Sequence, residues 1–78
     1  MNEIILTGHV LSKKNNYNNK IISLYLNTDD GCSIPIYFRN IRTDIIDSII
    51  NKNIAISGHV EIDEQIKIFV DVLKMNTI

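Results

Sequence analysis

Three tyrosines and four basic residues are the side chains best suited to holding a ligand: Tyr17, Tyr25 and Tyr37, with Lys13, Lys14, Lys20 and Arg39. Rings interleaved with cations can act in two ways at once. Flat aromatic faces stack on planar apolar groups, and ammonium or guanidinium groups pair with anions. A plainer use for Tyr25 and Tyr37 is a cross-strand aromatic pair that stabilises a sheet. Covalent chemistry has little to work with. No nucleophile–base pair, phosphate-cradling glycine loop or spaced carboxylate dyad is visible, so no catalysis is expected. Asp29-Asp30 and Asp63-Glu64 read as turn acids. His9 and His59 lack an obvious third ligand for zinc, and the single Cys32 excludes both a cysteine-based metal site and an intramolecular disulfide. Neither a metal nor a cofactor is expected.

The elements that must position these side chains are read from hydrophobic period. Ile5-Leu6-Thr7-Gly8-His9-Val10 returns as Ala55-Ile56-Ser57-Gly58-His59-Val60. Each copy alternates apolar with small or polar residues, the mark of a half-buried strand, and each has a glycine where the strand must bend. Residues 2–11 form the first expected strand, with Ile4 and Leu6 inward. Residues 12–20 hold Lys13, Lys14, Tyr17 and four asparagines, and read as a polar loop. In the second strand, residues 20–27, Ile22, Leu24 and Leu26 share one face and Ser23, Tyr25 and Asn27 the other. Thr28-Asp29-Asp30-Gly31 is a turn. The third strand, residues 32–39, turns Ile34, Ile36 and Phe38 inward and Ser33, Pro35, Tyr37 and Arg39 outward. Pro35 cannot donate to a ladder, which makes this strand an edge or a bulged one at that point.

The period then changes. Ile45, Ile46, Ile49 and Ile50 fall on one helical face within residues 43–52, with Thr43 as N-cap and Lys52 suited to the negative end of the dipole. Two more strands follow, residues 53–62 and 65–75, joined at Asp63-Glu64. The last directs Ile66, Ile68, Val70 and Val72 inward and Lys67, Phe69, Asp71 and Leu73 outward. Phe69 is then either a contact between copies or a core residue on the wrong parity. Three strands, a helix and two strands is the order of the OB-fold, an all-β, five-stranded Greek-key barrel with one short helix between strands three and four.

With 78 residues there is room for one such domain, spanning 1–78, and a domain of this size buries only roughly 60% of its unfolded surface. A hydrophobic share of 45% supports a packed core rather than disorder. The lone cysteine fits a reducing compartment. With no leader-like start and no apolar run near ~18 residues, the chain is expected in the cytoplasm, away from membranes. The net charge is −1, yet the charges are segregated: Lys13, Lys14, Lys20, Arg39 and Arg42 lie in the first half, and Glu61, Asp63, Glu64 and Asp71 crowd the end.

The opening Asn2-Glu3-Ile4-Ile5-Leu6-Thr7-Gly8-His9-Val10 resembles the first strand of the bacterial single-stranded DNA-binding protein family. Ile34-Pro35-Ile36-Tyr37-Phe38 resembles that family's third strand, and Asn51-Lys52-Asn53-Ile54-Ala55-Ile56-Ser57-Gly58-His59-Val60 its fourth. The stretch from Leu26 to Phe38 is equally similar to the OB domains of tRNA synthetases and helicases. There are departures too. The chain has no tryptophan, its turn between strands two and three is short, and no acidic tail follows the last strand. The resemblance therefore implies a reduced version of the family, of the kind carried by mobile genetic elements or phages.

OB barrels take ligands on the outer face of strands two and three, helped by the loops after strands one and four. The expected function is binding of single-stranded nucleic acid, DNA ahead of RNA, with little sequence preference. Tyr37, Tyr25 and Tyr17 would stack on bases, and Arg39, Lys13, Lys14 and Lys20 would pair with phosphates. The alternative is a protein-interaction subunit of a replication, conjugation or defence complex, docking through the same face or through Phe69. Expected partners are thus single-stranded DNA or RNA, a second copy of the chain, or a replication protein.

Overall fold

The computed structural model describes residues 2–16 and 20–75, with backbone alone at residues 12–16. Its elements are β1 (Ile4–Asn16), β2 (Ile21–Asn27), β3 (Ser33–Arg39), α1 (Thr43–Ile49), β4 (Asn53–Ile62) and β5 (Ile66–Met75). The strands close a barrel in the order β1-β2-β3-β5-β4. All neighbours are antiparallel except β3 and β5, which run parallel through Ile36↔Ile68 and Tyr37↔Phe69. This is the expected architecture, with the helix between the third and fourth strands.

Alternation sorts the core as expected along β2 and β3. Ile22, Leu24 and Leu26 meet Ile36 and Phe38 inside the barrel, joined by Val10, Ile54 and Ile56, with Ile34 and Leu6 packed against them. Pro35 stands one residue before β3 begins to pair with β5, so the missing N–H falls on a locally open edge.

The two repeated glycines share a physical cause. A Cβ on Gly8 would collide with the Asn27 carbonyl of β2, and one on Gly58 with the Phe69 carbonyl of β5. Each marks a point where a neighbouring backbone crosses too closely for any side chain.

Several expectations change. β1 continues to Asn16 instead of giving way to a loop at residue 12, because its backbone pairs with β2 through Lys13↔Leu24 and Asn16↔Ile22. Ladder hydrogen bonds do not require apolar side chains. The helix stops at Ile49, its N-cap is Arg42 in an extended conformation, and Thr43 is already helical. Ile46 and Ile49 are buried, while Ile45 is exposed and Lys52 lies beyond the last turn. On β5 the alternation slips, since Ser57 pairs with Val72 and Gly58 with Val70, leaving Asp71 as an extra residue. That bulge exchanges the roles of Val72, which is 49% exposed, and Leu73, which packs against the core. Ile66, at the open start of β5, is exposed too.

Candidate nucleic-acid interface

The outer face of β2 and β3 is built by their antiparallel register. Tyr25 lies opposite Pro35 and Ser23 opposite Tyr37, which makes the two tyrosines diagonal neighbours. β1 reaches this face through two bulges. Leu11 and Ser12 together oppose Tyr25, and Lys14 and Asn15 together oppose Ser23. Extra residues on one strand tighten its curl. The effect is to lay the backbone of Lys13 and Lys14 directly beside the strand that bears Tyr25. Leu11, Tyr25 and Pro35 are all exposed, Tyr25 at 36%, so an apolar row crosses β1, β2 and β3 at the surface.

Tyr37 has the outward direction expected of it but not the exposure. It retains only 8% of its accessible surface. The cause is β5, whose parallel pairing sets Phe69 beside it, with ring centroids 5.6 Å apart and planes inclined by 37°. Lys67 Nζ stands 5.4 Å from the Tyr37 ring centre. Phe69 is likewise on the outer face and likewise covered, at 5% exposure. It is neither an exposed contact between copies nor a member of the barrel interior. Arg39 lies over its ring at 3.8 Å, and His59 stacks at 6.2 Å with an interplanar angle of 21°.

Above this second aromatic layer runs a charged chain. Arg39 donates from both terminal nitrogens to the two carboxylate oxygens of Glu61, at 3.1 and 3.0 Å. His59 meets Glu61 through Nε2 at 2.7 Å and Asp71 through Nδ1 at 2.8 Å. Asp71, outward as its parity predicts, is also the extra residue of the β5 bulge. The hydrogen bond from Arg39, seconded by His59, pulls Glu61 down to about 2. Hydrogen bonds to Asp71 and then Glu61 raise His59 above its ordinary value. Arg39 is raised as well, first by its hydrogen bond to Glu61. Its guanidinium is therefore already neutralised by a carboxylate.

The remaining candidates are dispersed. Lys20 is exposed at the start of β2. Tyr17 lies outside the described residues, and for Lys13 and Lys14 only the backbone is described. β1 and β4 are neighbours, but their antiparallel register places His9 opposite Asn53 and therefore about 20 Å along the strands from His59. Among the described residues, no group of three or more histidine, cysteine, aspartate or glutamate side chains could hold a metal ion. None of their helices is long and apolar enough to cross a membrane. Sequence reasoning missed Lys67, Phe69, His59 and Glu61 as one surface with Arg39. The outward parity of Phe69, two residues after Lys67, was the one signal available.

No protein-family model and no curated protein matches the chain. Solved structures do. Two OBodies, each bound to hen egg-white lysozyme, superpose with a TM-score of 0.68 at 16% identity. They cover 95% and 96% of this chain and 78% and 93% of their own. The SSB domain of a protein from Synechococcus sp. superposes with a TM-score of 0.67 at 13% identity, over 95% of this chain and 94% of that one. The strand order, the closed barrel and these likenesses agree: the chain folds as an OB barrel.

Proposed function

We propose that the protein is a non-catalytic module that binds single-stranded nucleic acid, DNA ahead of RNA, with little sequence preference. One observation carries this reading: the exposed row Leu11–Tyr25–Pro35, flanked by the lysine-bearing extension of β1, occupies the face where OB barrels take extended ligands. Tyr25, 36% exposed, is the most accessible of the described tyrosines for stacking. Tyr37 and Phe69 form a covered layer that bases reach only if Lys67 and Arg39 move aside, and Tyr17, outside the described residues, is the third candidate ring. Lys13, Lys14, Lys20 and, on release from Glu61, Arg39 pair with phosphates. Each stacked base contributes about 1–3 kcal/mol, so a few such contacts make a weak binder that depends on its lysines. The likeness to an SSB domain supports the reading at the level of fold.

A second reading, a protein-docking subunit, is favoured by the Arg39–Glu61 pair, which leaves that end of the surface electrically balanced. OB barrels that bind a protein are represented among the similar structures by the lysozyme-bound OBodies. One titration separates the two. Adding oligothymidine should quench tyrosine emission, and affinity should fall as salt rises because counterions are released. No quenching and no retardation at micromolar protein and low salt would leave the docking reading standing.

A further inference from the structure

Before His9, one edge of β1 has no strand partner among the described residues. Val10 donates its N–H to the Lys52 carbonyl and accepts from the Asn51 N–H, so even-numbered residues of β1 direct their backbone groups toward β4. The side chain of Asn2 continues the pattern by bonding to both backbone groups of Val60. By strand alternation, Ile5 and Thr7 direct theirs the other way, toward β2. There β2 offers nothing, because its pairing with β1 begins only at His9↔Asn27. Past that pair the chain leaves through the turn at residues 28–32, which stands away from β1.

The space between is a groove of about 370 Å³ lined by Ile5, Leu6, Thr7, Asp29, Asp30 and Ile34, among others. Its walls have three characters. One side is a strand edge to which, among the described residues, the register with β2 does not extend. The floor is aliphatic, from Leu6 and Ile34, and Ile5 at 70% exposure extends it outward. The rim is acidic, and Asp30 is held in place by the hydroxyl of Thr28.

We propose that this groove is a strand-addition site for an extended peptide segment of a partner protein, with aliphatic residues alternating with lysine or arginine. The backbone edge selects an extended main chain, since only that can satisfy Ile5 and Thr7 in sequence. Period two then directs alternate side chains to Leu6 and Ile34, and the residues between them to the carboxylates of Asp29 and Asp30. The site is separate from the β2–β3 face and stands whether or not that face binds nucleic acid.

The test is amide hydrogen exchange and chemical-shift mapping of the full chain with a capped Lys-Val-Lys-Val-Lys peptide as probe. The Ile5 and Thr7 amides should exchange at least about tenfold more slowly when a ladder partner is supplied, and resonances of residues 28–34 should shift. The Glu-Val-Glu-Val-Glu peptide and a backbone N-methylated lysine peptide should do neither, and Asp29→Asn should weaken the lysine peptide several-fold with an unchanged far-UV spectrum. Unaltered exchange at Ile5 and Thr7, or shifts confined to the Tyr25 face, would overturn the proposal. So would protection that appears without peptide and grows with protein concentration, because a second copy would then be the occupant.

Discussion

Arg39 and Glu61 face each other as a two-pronged pair across the outer surface of β3 and β4, with contacts of 3.0 and 3.1 Å. Fork-to-carboxylate geometry is the same geometry a phosphate would ask of Arg39. On the proposed nucleic-acid reading, Glu61 competes with phosphate for Arg39. Replacing it by glutamine should raise affinity for oligothymidine several-fold and steepen the salt dependence by about 0.7 for each additional phosphate neutralised. Glu64→Gln, which removes a turn acid outside this pair, should change either quantity less. Titrations at several salt concentrations check both.

The covered and open tyrosines should part company on mutation. Tyr37→Ala empties a packed position beside Phe69 and should cost about 3 kcal/mol, by analogy with other buried aromatic truncations. Tyr25→Ala removes a ring at 36% exposure and should lower the unfolding midpoint less than Tyr37→Ala does while weakening oligonucleotide binding. Urea unfolding and fluorescence titration of both variants give the comparison.

Gly58→Ala should destabilise the barrel by about 1–3 kcal/mol, since the methyl group meets the backbone of Phe69 and neither strand can yield without opening the Asp71 bulge. For a domain of this size each kcal/mol is worth about 4–8 °C in midpoint. Calorimetry should show a clear downward shift. No shift would mean that the two backbones are not so close.

The carboxylate–histidine chain gives stability a window in pH. Glu61, lowered from 4.5 to about 2, contributes fully above 4.5 and loses its contribution as pH falls toward its folded value. His59, raised above 6.5, contributes fully below 6.5 and loses its contribution as pH rises through its folded value. From these two groups, stability should be flat between about 4.5 and 6.5 and decline on either side. His59→Gln should remove the alkaline decline and leave the acid one. Urea midpoints across pH for both proteins check the sign.

Period-two patterning was enough to orient β2 and β3, because Leu24, Leu26, Ile36 and Phe38 each sit between polar or outward neighbours and no bulge interrupts them. It failed where backbone geometry breaks the period. Nothing in the types of Val70, Asp71 and Val72 announces an extra residue, and one extra residue was enough to exchange Val72 with Leu73. The extension of β1 was hidden for a different reason, since lysines and asparagines read as a loop while their amides complete a ladder. The surface around Tyr37 was the least legible. Its cover comes from β5, far away along the chain, through a parallel pairing that no local pattern encodes. The Arg39–Glu61 pair depends on that same closure.

On the proposed reading, a single strand lies on the face bearing Leu11, Tyr25 and Pro35. Mapping amide shifts of the labelled protein during an oligothymidine titration at low salt tests it most directly. Shifts should cluster at Leu11, Tyr25 and Lys20 and along the lysine-bearing end of β1, and should fade as salt is added. A titration that leaves Tyr25 and its neighbours unmoved, with shifts elsewhere or none, would contradict it.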